Sequence, residues 1–201
     1  MKHSILLLLF IITFSCKSDS SNVILEYSIE EQNFTIEIPT NFKEADSQYV
    51  KEFYKDGINI FKEYGYTALS NQKSIFFFTN NEFTLLKGKT YSLNQYVTNN
   101  YENQWTRMKG ILFDLKQKMV NSMESATLDS ISRIEKINGT KFYVFETNVQ
   151  LLDLNKKNTN LKSLRYSTLI NNTDFVIDAD YLNRIDEKEI LNSIKSIKIK
   201  K

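Results

Sequence analysis

The stretch "INGTKFYVFETNV", residues 137–149, decides the predicted fold. Asn138-Gly139 is typical of the tight turn between two antiparallel strands, because both residues readily adopt a positive φ. The β-rich run after the turn forms the outgoing arm of a hairpin. The incoming arm carries an apolar residue at every third position: Leu128, Ile131, Ile134 and Ile137. We interpret this arm as a strand that could contain a bulge, since its turn and its partner strand are clear.

A similar pattern follows toward the C-terminus. Residues 161–170 and 173–181 predict a second hairpin around Asn171-Asn172. Asp186 and Glu189 have the spacing of a helix capping pair. An apolar stripe then predicts a closing helix, and its members are Ile190, Ile194 and Ile197. This part of the chain therefore comprises four antiparallel strands and one helix.

The N-terminal half predicts further strands. Residues 25–30 and 34–38 alternate apolar and polar side chains, which is typical of a hairpin with one wet face. Residues 58–70 are expected to form two strands that pair around Gly65. Residues 74–79 are apolar on both faces and predict a strand that is covered on both sides.

A helical region separates the two halves. Ser92 and Gln95 have capping-box spacing and predict its start, and Gly110 either ends it or weakens it. Its apolar stripe comprises Leu93, Val97, Tyr101, Trp105 and Met108, and a second helical stretch follows with Leu112, Leu115, Met119 and Met123. The order of elements predicts an α+β fold, an antiparallel β-sheet with packed helices, in a single domain over residues 23–201.

The first 15 residues have the build of a signal peptide. Lys2 is followed by an apolar core of ten residues, 5–14. A helix that spans a membrane needs about 20 such residues, so this core is too short for a permanent span.

Thr13-Phe14-Ser15-Cys16 resembles the cleavage box of bacterial lipoproteins, and the polar residues that follow resemble the tether of Bacteroidetes-type lipoproteins. The resemblance implies that residues 1–15 are removed and that Cys16 carries acyl chains such as palmitate. Residues 16–22 would then tether the domain to a membrane of the cell envelope, with Lys17 favouring the outer membrane. A secreted protein with a free cysteine and an uncleaved anchor helix are the two alternatives.

The residue counts exclude several kinds of chemistry. His3 and Cys16 are the only histidine and cysteine among the 201 residues. A chain cut before Cys16 would lack a histidine triad, a Cys-His pair and a His- or Cys-ligated metal, so no catalytic residue, cofactor or metal site is expected. The net charge of +2 gives no indication of a nucleic-acid partner.

Two carboxylates and five aromatic residues are nevertheless candidates for a catalytic or binding site. Asp178 and Asp180 share one strand face and could serve glycoside hydrolysis or weak Ca²⁺ binding, but we interpret them as part of a solvated face. Five aromatic residues could line a groove, although burial in the core is the expectation: Phe76, Phe77, Phe78, Tyr101 and Trp105.

Two surface features complete the candidates. A basic C-terminal end could touch anionic lipid, although its expected role is solubility; it comprises Lys195, Lys198, Lys200 and Lys201. Asp129-Ser130-Ile131 resembles a short O-glycosylation signal of Bacteroidetes envelope proteins.

The two ends of the predicted domain, "FTIEIPTNF" at 34–42 and "EKEILNSIKSIKI" at 187–199, together with the element order, resemble the PsbP-like family, which includes DcrB-like lipoproteins. The resemblance implies an α/β/α sandwich and a binding, assembly or chaperone-like role, without a shared ligand. We therefore expect a non-enzymatic envelope lipoprotein with a protein partner. A carboxylate-dependent glycan hydrolase and an immunity-type inhibitor of a toxin are the alternatives.

Overall fold

A computed structural model gives the fold of the protein. It describes residues 22–29, 32–66, 72–81, 83–123, 125–152, 158–182 and 184–200. These residues form four helices, which are α1 Ser47–Glu63, α2 Gln95–Asn99, α3 Tyr101–Asn121 and α4 Arg184–Ser196. The strands are β1 Val23–Ile29, β2 Gln32–Ile38, β3 Lys43–Glu44, β4 Gln72–Asn81, β5 Thr84–Ser92, β6 Ala126–Ile137, β7 Thr140–Leu152, β8 Asn158–Ile170, β9 Thr173–Tyr181 and β10 Lys198–Ile199. Within these ranges, no helix is both long and apolar enough to cross a membrane.

The strands form two antiparallel sheets. The larger has the order β3-β4-β5-β9-β8-β7-β6, which places β9 at its centre, and the smaller has the order β1-β2-β10. The smaller sheet and α4 cover one face of the larger sheet, and their apolar side chains form the hydrophobic core. Helices α1 and α3 lie over the opposite face. This three-layer arrangement confirms the predicted α+β fold and its α/β/α sandwich.

The predicted hairpins are confirmed. Asn138 and Gly139 have φ values of 47° and 86°, as the tight turn requires. Strands β6 and β7 pair without interruption from Ala126 opposite Leu151 to Ile137 opposite Thr140, so the incoming arm contains no bulge. The Asn138 side chain donates a hydrogen bond of 2.7 Å to the Ile197 carbonyl, which ties this turn to the end of α4.

The predicted pair of strands over residues 58–70 is wrong. Residues up to Glu63 belong to α1, and residues 67–70 lie outside the described part of the chain. Asp46 starts this helix, because its carboxylate accepts hydrogen bonds of 2.9 Å from the amides of Gln48 and Tyr49. The alternation near Ile58 is a short part of a longer helical stripe.

The predicted helix starts are also corrected. Ser92 is the last residue of β5, a strand that the sequence did not reveal, and Asn94 caps α2 by accepting a hydrogen bond from the Val97 amide at 2.9 Å. Helix α3 continues through Gly110 without a break. Asp186 lies in the first turn of α4, and its buried carboxylate accepts a hydrogen bond from Thr84.

Substitution of two glycines by alanine should change the stability of the fold in opposite directions. Gly88 lies opposite Phe76 in the β4–β5 pair, and a Cβ at Gly88 would come within 2.6 Å of Phe76 Cζ. Gly110 faces open space within α3. We expect Gly88→Ala to lower the free energy of unfolding by about 1–3 kcal/mol through overpacking. Gly110→Ala should raise it by about 0.5–1 kcal/mol through helix propensity.

Urea unfolding of both variants measures these changes. A Gly88→Ala variant as stable as the wild type would contradict the close approach of the Phe76 ring, since the glycine would then have no packing role.

Candidate functional site

A cavity of about 620 Å³ lies between the larger sheet and helices α1 and α3. Ligand pockets in proteins usually measure roughly 300–1,000 Å³, so this one could hold a small molecule. Side chains from the sheet form its floor, and side chains from the two helices form its walls. Strand alternation puts charged residues of β5, β8 and β9 on this face and their apolar neighbours in the core.

A row of charges crosses the centre of the floor. Lys87 on β5 and Arg165 on β8 lie directly opposite Asp178 on the central strand β9. The Arg165 guanidinium donates to both carboxylate oxygens of Asp178, at 2.6 and 3.0 Å. The ammonium of Lys89 lies 2.7 Å from Asp178 Oδ2. Both oxygens of this carboxylate are therefore engaged by cations.

A second carboxylate, that of Asp180, pairs with Lys87. The Lys87 ammonium lies 3.4 Å from Asp180 Oδ2 and 4.4 Å from the centre of the Phe53 ring of α1. On α3, the Lys116 ammonium donates to Thr147 Oγ1 at 2.7 Å and forms no ion pair within the described part of the chain. Lys87 of the floor thus contacts α1, and Lys116 of α3 contacts the floor.

The pKa values of these groups follow from burial and charge. Burial alone would raise the pKa of the Asp178 carboxyl, but Arg165 and Lys89 outweigh it and hold this pKa well below its usual range. For Asp180, burial is likewise opposed by Lys87 and Lys116, and the pKa is lowered. Both carboxyl groups are therefore ionised at neutral pH.

A hydrogen-bonded group closes one end of the floor. Tyr101 Oη lies 2.6 Å from both Asp174 Oδ1 and Ser167 Oγ, and the serine hydroxyl donates to the same carboxyl oxygen. Burial raises the pKa of Asp174, although the two hydrogen bonds oppose this effect. This group joins the start of α3 to strands β8 and β9.

The walls of the cavity are largely apolar. One face of α1 lines the cavity, yet none of the 17 residues of this helix is buried. The wall residues of α1 include Phe53, Tyr54, Ile58 and Phe61, and those of α3 include Trp105, Met108, Ile111, Leu112 and Met119. An amphipathic helix normally buries its apolar stripe, so α1 leaves apolar surface facing an unfilled space.

The carboxylates expected on a solvated strand face are placed differently. Asp178 is only 8% exposed, and Asp180 faces the cavity beneath the helices, so that interpretation is wrong. Burial of the five aromatic candidates is confirmed, and Tyr101 and Trp105 also line the cavity. Phe77 faces α1, whereas Phe76 belongs to the core on the other side of the sheet.

The remaining candidates lie away from the cavity. Lys195, Lys198 and Lys200 are exposed, and Lys200 forms an ion pair of 2.5 Å with Glu26. Ser130 is exposed on the edge strand β6. Cys16, the leader and Lys201 lie outside the described residues. The described residues contain no cluster of three or more His, Cys, Asp or Glu side chains that could hold a metal ion.

The cations of the floor were missed by the sequence analysis. Lys87 and Lys89 alternate with Leu86, Gly88 and Thr90, which is the signal of a strand with one polar face. The glycine and the lysines within β5 obscured that signal, because all three are uncommon in strands.

Comparisons with known proteins show what this fold resembles. The chain is similar to the solution structure of cyanobacterial PsbP (CyanoP) from Synechocystis sp. PCC 6803, with a TM-score of 0.54 and 13% identity over 92% of this chain and 98% of that one. A crystal structure from Bacteroides thetaiotaomicron VPI-5482 aligns with a TM-score of 0.43 and 12% identity, over 84% of this chain and 45% of that one. No protein-family model matches, and no curated protein matches.

The predicted PsbP-like fold is thus supported by a solved structure that aligns along nearly its whole length. At this level of identity the likeness concerns the fold alone. The chain has the architecture of a PsbP-like domain, and its cavity must be interpreted from its own residues.

The Asp178 ion pairs give a stability prediction. Asp178→Asn should lower the free energy of unfolding by about 3 kcal/mol, because it leaves Arg165 and Lys89 buried without their carboxylate. Urea unfolding at neutral pH measures the change. Asp114→Asn is the matched control, since the contacts of Asp114 with Lys118 and with the Tyr66 hydroxyl are exposed, and their loss should change the midpoint little.

The effect of Asp178→Asn should also depend on pH. The pKa of Asp178 is lowered in the folded protein, so its stabilising contribution is present above the unfolded pKa of about 3.9 and is lost as the pH falls below it. The difference between wild type and variant should therefore shrink in acid. A difference that is constant from neutral pH into acid would contradict the assignment of an ionised, paired carboxylate.

Proposed function

We propose that this chain is a non-enzymatic accessory protein of the cell envelope that binds a ligand in the cavity beneath α1 and α3. The observation that carries this proposal is the cavity itself, with a floor of paired charges and an apolar wall on α1 that the described fold buries only in part. Such a combination of apolar walls and a few fixed polar groups is typical of ligand pockets.

The state of the carboxylates supports binding rather than hydrolysis. A glycosidase of the usual kind needs one protonated carboxyl and one free carboxylate on either side of the substrate. The pKa values of Asp178 and Asp180 are both lowered, and cations engage both oxygens of Asp178. Neither group is suited to donate a proton at neutral pH.

We further propose that Cys16 carries the acyl chains that hold the protein at a membrane, with the outer membrane as the favoured location. The support is the leader over residues 1–15 and the small residue Ser15 before the cysteine. Several chains are needed for durable attachment, since one acyl chain binds only marginally. Residues 16–22 could reach at most about 25 Å when extended, so the folded part would stay near the membrane surface.

A protein partner in the envelope completes this proposal. The PsbP-like architecture supports an accessory role, and the ligand would be stored for, or passed to, that partner. A shuttle of this kind needs binding and release but no chemical step.

Lipidation is tested by metabolic labelling with an alkyne analogue of palmitate in a bacterial host that processes lipoproteins. The wild-type chain should be labelled and should fractionate with membranes, whereas Cys16→Ser should be unlabelled. Ser15→Ala retains a small residue before the cysteine and should be labelled like the wild type. Equal labelling of wild type and Cys16→Ser, or labelling of neither, would reject the anchor.

The absence of catalysis is tested by incubating the purified protein with panels of glycan and ester substrates. We expect no turnover above that of a heat-denatured sample. Robust turnover that Asp180→Asn or Asp178→Asn abolishes, with the folded state of each variant verified by circular dichroism, would replace the accessory role with a carboxylate-dependent hydrolase.

A further inference from the structure

The chemistry of the cavity specifies its ligand more closely, and the inference drawn here rests on the proposed role as a ligand-binding protein. One side of α1 presents Phe53, Ile58 and Phe61 to the cavity, although no residue of the helix is buried. The facing wall of α3 presents Met108 and Leu112. An alkyl chain between the two helices would remove this apolar surface from water.

The charges of the cavity are unequal. Five cationic side chains line it against three carboxyl groups. The cations are Lys87, Lys89, Arg107, Lys116 and Arg165, and the acids are Asp174, Asp178 and Asp180. The excess of positive charge in a partly enclosed space attracts an anion.

Apart from Arg107, which is exposed, Lys116 is the only cation of the cavity without an ion pair among the described residues. Its ammonium donates to Thr147 Oγ1, a neutral group, and no described carboxylate forms an ion pair with it. Asp180 and Asp178 attract it only from a greater distance, and burial lowers its pKa. A ligand anion beside this ammonium would supply the missing charge.

A second polar group of the cavity has no hydrogen-bond partner among the described residues. Tyr54 on α1 lines the cavity, and its hydroxyl is buried without a hydrogen bond to the described residues. The Tyr54 ring lies against Phe77 of the sheet at 6.3 Å between centres, so the residue is positioned at the boundary between the floor and the wall. A buried hydroxyl without a partner is uncommon in folded proteins and is satisfied when a ligand supplies an acceptor.

From these observations we propose that the cavity binds a single-chain amphiphile with an anionic head group. The head group contacts Lys116 and Lys87, and the alkyl chain lies between α1 and α3. Asp180 forms an ion pair of 3.4 Å with Lys87, so one negative charge already lies beside this lysine.

Binding is measured with the purified full-length protein and cis-parinaric acid, a long-chain carboxylate that fluoresces when it is buried. Palmitate should displace the probe. Hexadecanol, which has the same chain without the charge, should compete at least about tenfold less well, because a charge-assisted contact is lost. Acetate, which has the head group without the chain, should not compete.

Three variants locate the site. Lys116→Met keeps the length of the side chain but removes its charge, and should weaken palmitate binding about tenfold. Gly57→Leu places a side chain in the cavity from a position that has no atom within 4 Å of a new Cβ, and should abolish binding without loss of the fold. Lys188→Met on the exposed surface of α4 is the control and should bind like the wild type.

Each outcome decides one claim. Equal competition by palmitate and hexadecanol, or unchanged affinity in Lys116→Met, would overturn the anionic head group. Failure of parinarate and palmitate to bind a folded protein would overturn the amphiphile. Native mass spectrometry of the protein purified from its own host separates this from the proposed function. A bound molecule of another class, lost in Gly57→Leu, would overturn the inference and leave the accessory binding role intact.

Discussion

The row of Lys87, Asp178 and Arg165 determines which face of the larger sheet is polar. These side chains lie opposite one another on the three central strands of the larger sheet. A buried charge is tolerated only when it is paired. A slip of one residue in β9 would move Asp178 into the core and bring Phe175 and Ile177 to the charged face. The charges therefore fix both the register and the orientation of the sheet.

The position of the charged face determines which layer of the fold forms the core and which layer encloses the cavity. The opposite face becomes the hydrophobic core under α4 and the small sheet, and it supplies the apolar burial of the fold. Tight packing of apolar helices on the charged face would cost free energy, because its polar groups would lose their remaining contact with water. Helices α1 and α3 therefore stand over it and enclose a space of about 620 Å³.

Local signals were sufficient for part of the fold. Asn138-Gly139 specified a tight turn by itself, and the alternation on either side of it specified the hairpin. The cavity could not be predicted in the same way, because a strand facing water and a strand facing a polar cavity alternate identically. Asp178 therefore resembled a surface residue, and the lysines of β5 hid a strand. Near Ile58, a short β-like alternation obscured the helical stripe of α1, whose apolar residues face space rather than the core.

We propose that α1 and α3 enclose a ligand over the charged face of the sheet. Amide hydrogen exchange of the full-length protein, with and without palmitate, measures whether these helices are protected by the ligand. The amides of Ser47–Glu63, and those of α3 near Lys116, should exchange more slowly when palmitate is bound, while β1 and α4 should be unchanged. Unchanged exchange in α1, or protection confined to β1 and α4, would contradict the account.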